Sequence, residues 1–462
     1  MGHPLDAADD EESIRRNVCE IVGRENVAAS SEVPAYAVDG KIPRVVAFPK
    51  DADDLSSLLG FANRSGLSVI PRGSGTKMDL GGIPRAVEVA ASLLNLNRIL
   101  EYEPADLVVT VEAGLRLVEL QKILAKNAQR VPLDPPYADE TTIGGTVSSN
   151  SSGPMRYRFG SCRDLLLGVR VMAPSGAVMS SGGKVVKNVA GYDLKKLYVG
   201  ALGTLGVITE LTLKLYPLPE SEKTFIASFN DIRNLADLAS RVLGSQLLPY
   251  AIEALNSGAA RVVAEEAGVQ LGEASHVVAV GFGDVEESVR KQLSTIEELA
   301  RSSGALDSIV LERAGQESVW NAIRNLPGSM KRQEGPLVAC KASVPISRAF
   351  ETCGALERLT ARRGFACVAS SHVGNGIAHF YLSAERVTQA AGIEDLAGVI
   401  TEARDLTSQM GGTLIVERCP PEVKKVVDVW GPTRTDFQLM RAIKTQLDPR
   451  GTLSPGRFVG GI

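Results

Sequence analysis

Pro71-Arg72-Gly73-Ser74-Gly75-Thr76 stands directly after the apolar run Leu67-Ser68-Val69-Ile70, and the reading of the chain turns on this junction. Two glycines one residue apart admit unusual backbone conformations and close approach by another group. Successive N–H groups in such a loop form a nest for an anion such as a pyrophosphate. A plain glycine-rich turn is the competing reading. Upstream, Val45-Val46-Ala47 predicts a short strand. Asp51 or Asp53 caps a helix whose Leu55, Leu58, Leu59 and Ala62 fall at i, i+3, i+4 and i+7, with Gly66 at its end.

A second stretch, Thr142-Ile143-Gly144-Gly145-Thr146-Val147-Ser148-Ser149-Asn150-Ser151-Ser152-Gly153, follows Pro132, Asp134, Pro135 and Pro136. Small residues let a flat cofactor lie against the backbone, and hydroxyls satisfy its polar atoms. A serine-rich linker is the alternative. A third, Gly203-Thr204-Leu205-Gly206-Val207-Ile208, opens a strand in which Val207, Thr209, Leu211, Leu213 and Leu215 alternate with Glu210, Thr212 and Lys214. A hairpin is expected at 169–179 around Pro174-Ser175-Gly176. Pro217 and Pro219 then mark a domain boundary.

Beyond 220 the rhythm lengthens. Strands are expected at 224–229, 276–280, 337–344, 365–371, 377–382 and 413–417, with helices at 232–242, 285–299 and 346–363. This pattern predicts an α+β domain, antiparallel sheet with helices on one face. A helix bearing Phe437, Met440, Ile443 and Leu447 precedes a turn-rich tail. The expected organisation is a helical lead-in at 1–42, a first domain at 43–218, a second at 219–418 and a C-terminal segment at 419–462.

Composition narrows the function. With Lys+Arg 50 against Asp+Glu 54, the mild acidic balance argues against nucleic acid as a partner. The six cysteines never fall at CxxC spacing, which removes an iron–sulfur cluster built by this chain alone. No apolar run approaches the ~18 residues that span a bilayer, and the acidic start lacks a signal-like apolar segment. A cytoplasmic protein that reaches a membrane only through a partner is expected. GxxxxGK[ST], strand–GxGxxG–helix, GxSxG and HExxH are all missing.

Two of four histidines, His372 and His379, flank the bend Val373-Gly374-Asn375-Gly376-Ile377-Ala378. With Glu417 on a later strand they suit Zn²⁺ or Mn²⁺ as a Lewis acid. Two unrelated histidines beside a turn is the other reading.

In this order and spacing the three glycine stretches resemble the FAD-binding oxidoreductases of the vanillyl-alcohol oxidase/p-cresol methylhydroxylase type. Within that family the chain is similar to the branch of D-lactate dehydrogenase, D-2-hydroxyglutarate dehydrogenase and glycolate oxidase flavoprotein subunits. GGKVVKNVAGYDL (182–194) and the tail DPRGTLSPGRFVGGI are most like the FAD-binding subunit of glycolate oxidase. The resemblance implies a two-subdomain flavin domain, a ferredoxin-like α+β cap holding substrate, and a tail that returns to the flavin domain. It assigns Pro71, Arg72, Gly73, Ser74, Gly75, Thr76, Pro135, Thr142, Gly144, Gly145, Thr146, Ser148, Ser149 and Gly153 to the pyrophosphate and ribityl chain. Gly203, Gly206 and Ile208 would line the adenine or flavin. Neither His nor Cys stands in the first loop, so dissociable FAD is expected, with Cys162 a structural thiol.

The resemblance also implies a His372, His379, Glu417 metal set and a carboxylate held by Arg324 and Lys341. Relatives carry Asp where Asn375 stands, Asn where Ile377 and Ser454 stand, and their presumed base, a His, where Arg418 stands. A guanidinium cannot take a hydroxyl proton. Two functions follow. One is FAD-dependent oxidation of glycolate or D-lactate beside an iron–sulfur subunit and a second flavoprotein. The other is a non-catalytic, FAD-holding structural or relay subunit.

Overall fold

The structure, a computed structural model, describes residues 11–184, 191–271, 274–334, 337–384 and 390–462. Positions 185–190 of the GGKVVKNVAGYDL stretch lie outside the described residues. The lead-in helix, Glu11–Val22, buries Ile14, Val18 and Val22 on one stripe.

The first half builds two main sheets and a short two-stranded pairing of Gln129–Arg130 with Tyr216–Pro217. In the smaller main sheet, Val45–Ala47, Val89–Ser92 and Val69–Arg72 run parallel, with Val89–Ser92 central. Parallel strands are covered on both faces, which is why Val45-Val46-Ala47 is wholly buried. The helix Ala52–Ser65 crosses over them. Asp51 caps it by accepting from the N–H groups of Asp53 and Asp54, and Gly66 closes it in the left-handed region. The larger sheet is antiparallel, in the order Ile99–Glu103, Val108–Glu112, Val207–Lys214, Leu166–Met172, Val178–Gly182. The 166–182 hairpin forms as expected. One continuous apolar core joins the two sheets and the lead-in helix.

The second half is an eight-stranded antiparallel sheet. Its order is Asp307–Glu312, Ser221–Phe229, His276–Asp284, Ala251–Asn256, Cys367–His372, Ile377–Ser383, Leu337–Ser343, Thr413–Arg418. The expectation of helices on one face is corrected. Ser257–Ala267, Ala314–Arg324 and Leu326–Glu334 cover one face. Ile232–Leu243, Glu286–Ser302, Ala349–Arg362 and Ala390–Gln409 cover the other. The sheet is apolar on both sides, as Ala339 packs one way and Val338 and Cys340 the other, so each side needs cover.

The tail does return to the first half. The Val69 N–H donates to the Thr452 carbonyl at 2.7 Å, and the Ser454 N–H to the Val69 carbonyl at 3.0 Å.

Candidate functional site

A channel runs through the first half and opens between the two halves. One end is walled by Pro71, Gly144, Gly203, Gly206 and Ile208. It continues past Arg72, Gly73, Ser74, Gly75, Thr76, Thr142, Gly145 and Ser148. It then widens at Ser149 and Gly153 into a cavity whose far side is formed by the second half.

The loop after Val69–Arg72 is held open by contacts that leave no room for side chains. A Cβ on Gly73 would overlap Thr142 Oγ1, and one on Gly144 would overlap Ala113. Gly75 has φ +84, a conformation glycine adopts without strain. The stretch of small and hydroxyl residues at 142–153 opens with a helix, Ile143–Ser148, whose cap Thr142 accepts from the Gly145 N–H at 3.2 Å. Low glycine helix propensity hid it from the sequence.

Two expected contacts are corrected. Thr146 is buried, and its hydroxyl donates to the Thr142 carbonyl at 2.9 Å, so it serves the helix and not the channel. Pro135 is buried away from the channel, and its neighbour Pro136 lines the cavity instead. Cys162 is fully buried, its thiol directed at the Ser151 carbonyl 3.5 Å away and pushed up to about 12 by burial.

The far wall of the cavity is one face of the eight-stranded sheet. Alternation puts Ser370 and His372, His379 and Tyr381, Lys341, and Glu417 on the same face of four adjacent strands. The bend between His372 and His379 therefore acts as a hairpin, and the rings stand edge to face with centroids 5.1 Å apart. Arg324 reaches the same cavity from the C-terminal turn of the Ala314–Arg324 helix. Sequence reasoning missed Lys77, Asp79, Tyr137, Arg156 and Tyr381, which also line it. It missed Glu253 as well, a carboxylate with 0% exposure beside His372. A lone charge in the apolar strand Ala251–Asn256 was the available signal.

The wall is cationic. Arg418 pairs with Asp79 at 2.7 Å, and Lys341 with Glu417 at 3.1 Å. Among the described residues, Lys77, Arg156 and Arg324 have no ion-pair partner, and the Nε atoms of Arg156 and Arg324 are buried without a hydrogen bond. Burial lowers Lys77 to about 8 and His379 to about 4. It also pushes the Glu417 carboxyl up, but Lys341 and His379 outweigh it and hold the group well below the usual range.

The expected metal set is corrected on this arrangement. Among the described residues no three His, Cys, Asp or Glu side chains converge as ligands. Glu417, the expected carboxylate ligand, is shared between Lys341 and His379, whose Nδ1 lies 3.5 Å from it. An ammonium on the one available carboxylate, with further cations around it, repels a dication. The residues do not fit a Zn²⁺ or Mn²⁺ ion. They do fit a flavin dinucleotide: backbone glycines line the channel, and the buried Ser454 Oγ faces it without a partner.

The class these features define is the FAD-dependent oxidoreductases built on the p-cresol methylhydroxylase fold. Residues 43–182 match the FAD binding domain family, and residues 218–458 match the C-terminal domain of FAD-linked oxidases. The second match spans more than half of the chain, and the chain belongs to the FAD-linked oxidases. Glycolate oxidase subunit GlcD of Bacillus subtilis is 26% identical over 454 residues, covering 96% of each chain. D-lactate dehydrogenase of Anaerostipes hadrus is 25% identical, covering 91% of each. The structure of p-cresol methylhydroxylase with substrate bound superposes with a TM-score of 0.78 at 16% identity, covering 96% of each chain. No helix among the described residues is long and apolar enough to cross a membrane.

Proposed function

We propose that this FAD-linked oxidoreductase oxidises a small 2-hydroxy acid, of the glycolate or D-lactate kind, to the 2-oxo acid. The observation that carries the reading is the cluster of unpaired cations, Lys77, Arg156 and Arg324, in a cavity continuous with the glycine-walled channel. The buried Nε donors of Arg156 and Arg324, without a hydrogen bond, favour a carboxylate. Lys341, already tied to Glu417, adds a positive field behind it. FAD, bound without a covalent link, supplies the two-electron acceptor. The chain's own side chains orient the acid and exclude water. His379, neutral at physiological pH, borders the hydroxyl's place without adding charge.

The electrons then leave through partners, an iron–sulfur subunit and a second flavoprotein, because no cysteines of this chain fall at cluster-binding spacing. The curated relatives that are glycolate oxidase subunits support such an assembly.

A second reading, an FAD-holding subunit that does no substrate chemistry, is favoured by Arg418, which stands in the relatives' base position and is bound to Asp79. Anaerobic addition of glycolate or D-lactate to the purified yellow protein separates the two. Bleaching of the flavin band supports oxidation. A band that persists with both acids supports the second reading.

A further inference from the structure

We infer that Asn150 and Ser454 are direct contacts of the bound FAD, an assignment that rests on the FAD fit of the channel and not on the 2-hydroxy acid reading. Among the described residues, eight other than glycine have a positive φ. Asn150, at φ 48, and Ser454, at φ 45, are the two of these that also carry a buried side-chain oxygen without a hydrogen-bond partner. Both line the channel, Ser454 in its middle stretch and Asn150 in the cavity at its end.

Each feature costs stability by itself. The left-handed backbone crowds a Cβ, and a buried oxygen without a partner forfeits the hydrogen bond it had with water. Such strain persists only where the surroundings over-determine it. At Ser454 they do. Its N–H donates to the Val69 carbonyl at 3.0 Å. The buried Lys444 ammonium donates to the Leu453 carbonyl at 2.9 Å and to the Thr204 carbonyl at 2.7 Å. Asp448 accepts from that ammonium and from the N–H groups of Thr452 and Leu453. The tail is thereby fastened to the third glycine stretch, with Ser454 Oγ turned into the channel.

Asn150 is held from the other wall. Its N–H and that of Gly200 both donate to the Val147 carbonyl at 3.0 Å, and a Cβ on Gly200 would lie 3.2 Å from the Asn150 Cβ. Water could meet either oxygen, but water needs no strained backbone to aim a side chain at it. A fixed polar ligand does.

Place decides what each one touches. Ser454 stands across the channel from the Arg72–Thr76 loop, whose N–H groups suit a pyrophosphate. Its hydroxyl therefore donates to a phosphate or ribityl oxygen. Asn150 faces the cavity where the reacting end of the cofactor must meet a substrate. The polar edge of an isoalloxazine alternates carbonyl and N–H groups, and a carboxamide offers both a donor and an acceptor to it.

The test measures FAD binding to the full-length apoprotein, stripped of FAD and shown to regain it. Glycine at either position removes the polar atom and also relieves the backbone. Ser454→Gly is expected to weaken FAD binding about five- to tenfold, the worth of one hydrogen bond, while the apoprotein melts no lower than wild type. Asn150→Gly is expected to weaken it about as much, and also to shift the visible flavin band and the reduction potential. Ser454→Asn keeps a hydrogen-bonding group on a backbone that Asn tolerates, so it should retain most of the affinity.

An unchanged affinity in either glycine variant overturns the contact at that residue. A weakened affinity accompanied by a lower apoprotein melting temperature overturns it too, because that pattern marks a purely structural role. An Asn150→Gly holoprotein with the wild-type band and potential overturns the placement of Asn150 at the ring. No substrate enters these measurements, so they decide the contacts whether or not glycolate or D-lactate bleaches the flavin.

Discussion

Lys77 shows how one residue can report on the site. Its chain reaches the cavity over the Tyr137 ring, 5.6 Å from the centroid, and burial lowers it to about 8. As pH rises through about 8 the ammonium loses its proton and the cavity loses a positive charge. The half-saturating concentration of the acid is expected to climb across that range. Lys77→Met should raise it about tenfold at pH 7, the equivalent of one ion contact, and abolish the climb. Steady-state kinetics against pH checks both. For folding, the unfolded chain binds the proton up to the ordinary value of 10.5, so stability attributable to Lys77 rises with pH between about 8 and 10.5. Chemical denaturation of wild type and Lys77→Met at two pH values measures it. Ser454, at φ 45, makes a second case. The Asn of relatives tolerates that left-handed backbone better than Ser does, so Ser454→Asn should recover part of the roughly 1–2 kcal/mol of strain, read as a higher melting temperature.

At the scale of elements, the cofactor cradle depends on two segments meeting without side chains between them. Gly73→Ala should push the loop after Val69–Arg72 off the Thr142 cap and weaken FAD retention about tenfold or more, measured by flavin release on dilution. Both segments were legible in the sequence as glycine-rich stretches, and their order carried the family resemblance. The helix at Ile143–Ser148 was not legible, because Gly144 and Gly145 argue against helix and only the Thr142 cap and tertiary packing support it. Likewise the helices Ser257–Ala267 and Ala314–Arg324 went unread, though they cover the sheet face that carries the candidate chemistry. Their apolar positions are largely Ala, Val and Trp, which gives a weaker stripe than the leucines of Ala52–Ser65.

Across the whole molecule, a buried ion cluster ties together four distant segments. Asp39 pairs with Lys424 at 2.7 Å and Arg457 at 3.0 Å, and all three are nearly inaccessible. Lys424 Nζ also donates to the Asp79 carbonyl at 2.6 Å, and Arg457 Nη2 to the Met78 carbonyl at 2.7 Å. The lead-in, the loop bearing Lys77 and Asp79, the segment after the large sheet and the tail are thereby locked together. Asp39→Ala leaves two buried cations uncompensated and should cost about 3–5 kcal/mol, read as a lower melting temperature together with weaker acid binding.

Local pattern was enough to identify the strand–loop junction at 67–76, the glycine stretches, the break near Pro217 and the histidine pair His372 and His379, whereas Arg324 and Lys341 came only from the family resemblance. The local signals are short-range, set by side-chain period and backbone freedom. Only the tertiary structure put Glu253 opposite His372, laid Lys341 against Glu417, and turned an expected metal site into a cationic wall. Cross-strand partners more than 70 residues apart are set by sheet order, and charge in a shared cavity is a sum over segments that no local window contains.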